Sequence, residues 1–433
     1  MLEIIKDTLL KLNVKEWKIE YEKISSNELF MIKKEIDMNR TKIITNYILT
    51  IYNDFEENGK KYKGSSSFKI TPETEKEELE ELINQNLYSS KFVYNEHYEI
   101  LENNDDILYE EKNEEENSLN FLGEKIYDFI YSNDNYEYGF INSCEIFCDK
   151  IEHRIVNSKK TDVSSIKLKF LVDIIISWKE ENTEEVEIHS ELNFSELSED
   201  YIKNNIKKLF EIAKNRSKAT FTPELKDMPI ILNGEFIKSF FGYYYNKCNA
   251  RMIYDNFSQS KENDFIQGEN ITGDKLNLKF DPYLKNSTYS SPYDKDGIML
   301  KEVEIIKEGK IKKIFGNSRY CQYLEIPVTG ESSNICVSSG KYSEEELKKE
   351  KYLEIISFSD FDMDVITGDF GGEIRSGYYY DGETLIPVTG GSISGNIKEV
   401  HEKMFFSKEM EQHNNFFGPK LLKLYNVSIT SAV

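Results

Sequence analysis

Histidine is scarce in this chain. Five occur in 433 residues, at positions 97, 153, 189, 401 and 413, and none lies between His189 and His401. Zinc signatures of the HExxH or HExxxH kind need two imidazoles on one helix and a glutamate beside them as base. His401-Glu402 is the only His-Glu pair, and Phe405 and Phe406 stand where the second histidine would be required. Long apolar runs are missing as well. The most apolar stretch, FLVDIIISW (170–178), is short and carries Asp173, so no helical membrane span is expected. The N-terminus puts Glu3 and Asp7 where a signal peptide needs an uncharged core, and no secretion signal is expected. Positive charge is in deficit, with 55 Lys and Arg against 78 Asp and Glu and a formal charge of -23. Such a chain repels phosphate backbones, which argues against non-specific nucleic-acid binding.

Cysteine adds little chemistry. There are five, an odd number, and only Cys144 and Cys148 lie close together. They flank Glu145-Ile146-Phe147 on one strand face, without the second ligand pair that structural zinc usually shows. Reduced thiols in a cytoplasmic protein are the simplest reading. GSISG (391–395) places its serines beside the centre and so makes no nucleophile elbow. GENITGDK (268–275) lacks the Gly-Lys-Ser/Thr ending of a phosphate-binding loop, and no GxGxxG occurs. Carboxylates are abundant, yet none forms a pair with visibly opposed environments, so no acid/base couple is nominated.

What is present is material for folding: 39% hydrophobic and 13% aromatic residues over a length that suggests two or three domains. Residues 1–95 read as an α+β domain. Leu2, Ile5, Leu9 and Leu12 mark a first helix, strands follow at 17–21 and 44–55, and Asn58-Gly59 makes a hairpin turn. Thr71-Pro72 predicts the start of a helix with Leu79, Leu82, Ile83 and Leu87 on its buried face. Residues 96–117, dominated by acidic and polar side chains, read as a solvated linker. Residues 118–220 read as a second α+β region: a helix through Leu122, Ile126, Phe129 and Ile130, three strands, and a helix from Ser198. His189 and Glu191 alternate on one of those strands and fit a solvated face. Residues 221–433 contain short β-rich runs between glycine turns, as in a large antiparallel β-rich domain. The fold class predicted is α+β.

Three stretches of this last region carry a resemblance. SPYDKDGIMLKEVEIIKEGKIKKIFGNSRYCQYL (291–324), with PVTG after it, has a Pro-aromatic-Asp turn, a hairpin and a short helix. VITGDFGGEIRSGYYYDGE (365–383) has a T-G-D-F turn and a glycine-aromatic strand, and PVTGGSISGNIKEV (387–400) leads into a helix. In this order and spacing they resemble the TldD/PmbA family of metallopeptidases. Within them Thr367, Gly368, Asp369, Arg375 and Asn396 are candidates for a structural turn or a peptide groove. Glycine there permits backbone closed to other residues, and Thr and Asp side chains hold local N–H groups.

The resemblance implies a zinc-binding HExxxH helix in catalytic members. Aligning the strand MPIIL (228–232) with the strand before that helix puts GYYYNK (242–247) at its position, so the closer likeness is to the PmbA/TldE-type subunit. It further implies no cofactor in this chain, zinc in a TldD-like partner, assembly as a heterodimer or homodimer, and flexible peptides as substrate. Two other readings stay open: a self-sufficient peptidase drawing on His189, His401 and the cysteines, and a stand-alone peptide-binding homodimer.

Overall fold

The computed structural model describes residues 1–102, 107–110, 118–132, 134–181 and 183–431. Its first sheet has eight strands: β1 (Glu16–Ile32), β2 (Glu35–Glu57), β3 (Lys60–Ile70), β4 (Asn95–Glu96), β5 (Ile107–Glu110), β6 (Gly139–Asn157), β7 (Asp162–Trp178) and β8 (Val186–Phe194). They run in the order β4-β3-β2-β1-β6-β7-β5, with β8 also paired to β7. Thus the segments 1–95 and 118–220 feed one continuous sheet, joined where β1 and β6 pair from Lys18↔Asn157 to Ile32↔Ser143. Each segment still has its own core. The helices α1 (Leu2–Lys11) and α2 (Lys76–Ser89) bury Ile5, Leu9, Leu79 and Ile83 against Ile19, Leu49 and Ile51. The helices α3 (Leu119–Tyr131) and α4 (Glu199–Arg216) cover Cys144, Ile146, Cys148, Val172 and Ile174. All five cysteines are free and buried.

Local signals account for most of these boundaries. Asn58 and Gly59 take φ of 53° and 76°, and Glu57 faces Lys60 across the hairpin they close. Ser118 and Ser198 cap α3 and α4 by accepting from the N–H groups of Phe121 and Tyr201. The expectation at Thr71-Pro72 needs correction: these residues form a turn, with the Thr74 N–H on the Thr71 carbonyl, and α2 starts at Lys76. The local turn bonds satisfy Thr71 and Thr74 without a helix. Within the acidic segment 96–117, Ile107–Glu110 runs parallel to β7, while 103–106 and 111–117 lie outside the described residues.

The C-terminal region is β-rich, with sheets of nine and six strands. In the larger, Tyr352–Met363 pairs antiparallel with Asp369–Tyr380 and parallel with Ile230–Asn233. Most C-terminal pairings are antiparallel; Ile335–Val337 with Phe416–Pro419 and Thr220–Phe221 with Leu385–Thr389 are also parallel. Between the sheets lies the helix α5 (Glu235–Lys247). This is an α+β fold. Among the described residues no helix is long and apolar enough to cross a membrane.

An ion cluster ties the two halves together. Lys208 on α4 lies 3.4 Å from Glu411, whose other oxygen lies 3.1 Å from His413 Nε2. Burial alone would push the Glu411 carboxyl up. The His413 hydrogen bond and the Lys208 charge outweigh it and bring the group from 4.5 to about 2. A folded value below the unfolded one means the stabilisation is complete above pH 4.5 and is lost as pH falls from 4.5 through 2. Thermal unfolding should therefore show a smaller rise in Tm over that interval for Lys208→Met than for the parent chain. An unchanged rise would contradict the assignment.

Candidate functional site

The site is organised by α5. Ile237, Phe240, Phe241 and Tyr244 recur at helical spacing and are 1% exposed or less. Phe240 packs edge-on against Phe370 in the larger sheet, while Phe241 meets Phe406 there and Phe416 in the smaller sheet. Gly234, with φ 65°, starts the helix; after it ends, Asn249 caps the short helix Ala250–Tyr254. The last turn of α5 is thereby fixed at the rim of the core.

The resemblance aligns Gly242, Tyr243 and Lys247 with the family's His, Glu and His. None suits zinc. Gly242 has no side chain. Burial pushes the Tyr243 phenol up, away from the ionised form that would ligate. Lys247 Nζ donates to the carbonyl oxygens of Ile366 at 2.8 Å and Phe257 at 3.1 Å, and lies 5.4 Å from the Tyr243 ring centroid. Burial and the neighbouring Lys398 charge hold its ammonium below the usual lysine range. Both carbonyls nevertheless require it to donate, and a donating ammonium cannot ligate a cation.

The second chain segment at this place is the T-G-D-F turn. Asp364 accepts from the N–H groups of Ile366 and Thr367, while Thr367 Oγ1 donates to Asp369 at 2.8 Å. Asn396 Nδ2 donates to the other Asp369 oxygen at 2.7 Å, and its own Oδ1 accepts from the Lys398 N–H. The Asn396 and Thr367 hydrogen bonds hold the Asp369 carboxyl below the usual range. Gly368 has φ +87°, and a Cβ there would lie 2.7 Å from Ile397 Cγ2 and 3.2 Å from the Tyr243 ring. The turn therefore satisfies itself and leans on α5.

Thr367, Gly368, Asp369 and Asn396 thus come together. Arg375 does not, since an extended strand puts about 20 Å between it and Asp369. It is exposed beside Arg216, whose guanidinium is lowered by burial and then by the Arg375 charge. Next to the turn, an open cleft of about 420 Å³ is lined by Tyr243, Lys247, Phe257, Asp264, Phe265 and Lys398, among others. Lys247, Phe257, Phe265 and Lys398 are additions that sequence reasoning missed. Their proximity is set by the 255–266 loop folding over the end of α5, for which no periodicity gives a signal.

Of the other residues considered as ligands, His189 and Glu191 come together and the rest stay apart. Asp173, His189 and Glu191 offer atoms within 4.8 Å of one another on the open face of β7 and β8, with His189 Nε2 2.8 Å from Asp173. Among the described residues, neither His401 nor any cysteine joins them. Burial pushes every cysteine thiol up, with Cys148 and Cys336 at about 12 and Cys321 at about 11.

Gly368→Ala should destabilise the chain by about 1–3 kcal/mol through positive-φ strain and the Ile397 contact. Asn396→Ala should loosen the turn without that strain. Equilibrium unfolding in denaturant measures both; a Gly368→Ala chain as stable as its parent would remove the turn from this account.

Comparison with known proteins agrees with the resemblance. Residues 225–431 match the profile of the PmbA/TldA metallopeptidase C-terminal domain. An uncharacterised protein of Methanocaldococcus jannaschii is 24% identical over 36% of this chain and 40% of its own length. The metalloprotease PmbA homolog of Buchnera aphidicola is 26% identical over 46% of each chain. Metalloprotease PmbA of Escherichia coli O157:H7 is 24% identical over 40% of this chain and 39% of that protein. The matched stretch thus spans less than half the length of these relatives. The whole chain superposes on a candidate modulator of a DNA gyrase from Thermotoga maritima, with TM-score 0.77, 17% identity and 100% of both chains covered. It superposes likewise on TldE from Thermococcus kodakarensis, with TM-score 0.76, 14% identity and 99% of both chains covered. At such identities these two show the fold. With the profile over residues 225–431 and three motifs in register within them, the C-terminal region of this chain belongs to the PmbA/TldD family, whose matching profile and relatives carry the name of metallopeptidases.

Proposed function

We propose that this chain is a PmbA/TldE-type subunit of a cytoplasmic metallopeptidase complex. In it, an HExxxH-bearing partner supplies the zinc and this chain supplies one wall of a groove for flexible peptides. The observation that carries the reading is the last turn of α5. A lysine stands where the second zinc-binding histidine would be, with its ammonium committed to the carbonyls of Ile366 and Phe257. The fold is retained while the ligands are gone, which is the expected state of a subunit that assists without performing the chemistry. Sheet edges and the cleft beside Lys247 give an extended peptide main-chain partners and side-chain contacts. An acidic chain without a nucleic-acid-binding motif gives no support to a direct DNA role.

The test is co-expression with an HExxxH chain of the same genome, followed by size-exclusion chromatography and a peptide-cleavage assay. The two chains should co-elute, and the complex should cleave unstructured peptides that this chain alone leaves intact. Mutating the partner's zinc ligands should abolish cleavage. Separate elution at micromolar concentration, with the partner's activity unchanged by this chain, would leave a stand-alone peptide-binding homodimer as the better reading.

A further inference from the structure

A second open cleft, of about 520 Å³, adjoins the first, and Phe265 lines both. The boundary between them is a two-stranded strip. The Asn263 N–H donates to the Ile311 carbonyl at 2.8 Å, and the Ile311 N–H to the Asp264 carbonyl at 3.0 Å. Neighbouring residues of the strip therefore line different clefts: Asp264 and Ile311 the first, Asn263, Lys310 and Lys312 the second.

Lysines outnumber carboxylates in the lining of the two clefts. Six lysines line the two clefts, at 247, 275, 307, 310, 312 and 398, against three carboxylates, Asp264, Glu269 and Glu308, in a protein of net charge -23. Lys275 is paired with Glu308 at 3.0 Å, and Lys307 with Glu304 at 3.1 Å. The other four form no ion pair among the described residues, although Asp364 and Asp369 of the adjoining turn lie near enough to Lys247 and Lys398 to feel their charge. Lys310 Nζ sits 4.1 Å from the Phe265 ring centroid, Lys247 holds carbonyl oxygens, and Lys312 and Lys398 enter no ion pair among the described residues. Phe257 and Phe265 are each 48% exposed at the rims.

We infer that the two clefts form a receptor for an extended peptide bearing carboxylates, with its apolar side chains on Phe257 and Phe265. This rests on the peptide-groove reading above and names the substrate class within it. A cluster of ammonium groups that outnumbers the carboxylates lining the same open clefts favours anions, while the surrounding negative surface repels long anionic polymers and steers a short acidic segment here. The carboxylates can be Asp and Glu side chains or a free C-terminus, and the two sources are separable.

The measurement is fluorescence anisotropy with the full chain alone, so it does not depend on a partner. Three labelled peptides share a Gly-Ser-Phe framework: one with glutamates and an amidated end, one with lysines and an amidated end, and a neutral one with a free carboxylate. The glutamate peptide should bind at least ~10-fold more tightly than the lysine peptide and weaken as salt rises. The double charge reversal Lys312→Glu/Lys398→Glu, at two exposed positions, should cost ~10-fold in affinity with the circular dichroism spectrum unchanged. Lys226→Glu, at a side chain 81% exposed in neither cleft, should cost nothing. Equal binding of a neutral free-acid peptide would assign the carboxylate to a chain end and uphold the receptor. Binding indifferent to peptide charge, indifference to the double reversal, or tighter binding of a single-stranded oligonucleotide of equal charge would overturn it. A chain that selects acidic peptides yet fails to co-elute with an HExxxH partner would refute the subunit proposal and leave this one standing.

Discussion

The C-terminal region depends on one packing arrangement, the clamping of α5 between two sheets through its aromatic face. Phe240, Phe241 and Tyr244 are fully buried, and each of the two phenylalanines contributes roughly 1.5–3 kcal/mol by leaving water. Because Phe241 touches Phe406 in one sheet and Phe416 in the other, α5 cannot slide or rotate without breaking both contacts. Its last turn is consequently a fixed platform. The T-G-D-F turn rests on Tyr243 through Gly368, and Lys247 binds the loop carbonyls of Ile366 and Phe257.

That platform is held by an ammonium. Lys247 joins the helix to the 255–266 loop and to the 364–369 turn by hydrogen bonding. On the subunit reading proposed above, it does so where a catalytic member would carry a metal ligand. A bound cation would recruit a carbonyl or water oxygen, whereas a lysine beside Lys398 attracts a carboxylate. That reading assigns this site the holding of a peptide.

Much of the fold was legible because its signals are local. The Asn58-Gly59 hairpin, the serine caps of α3 and α4, and the period-two strands depend on a few neighbouring residues. The local bonding between Thr367 and Asp369 was legible for the same reason, whereas the bond from Asn396, 27 residues along the chain, was not. Long-range pairing was not. Nothing in 1–95 and 118–220 taken separately announces that β1 and β6 join them into one sheet, because both are amphipathic strands that could pair with many partners. Thr71-Pro72 has the composition of a helix start, but the turn closed by Thr74 satisfies the same groups. The cleft was invisible because its walls come from α5, the 255–266 loop, 311 and 398, brought together only by tertiary packing.

On the subunit reading, α5 carries groups unable to hold a catalytic metal. The most direct check is zinc content by elemental analysis of the full chain, expressed in metal-replete medium and dialysed, alongside a peptide-cleavage assay with and without chelator. The prediction is well under one equivalent of zinc per chain and no cleavage under either condition. Stoichiometric zinc accompanied by chelator-sensitive proteolysis would contradict it and make this chain a metallopeptidase in its own right.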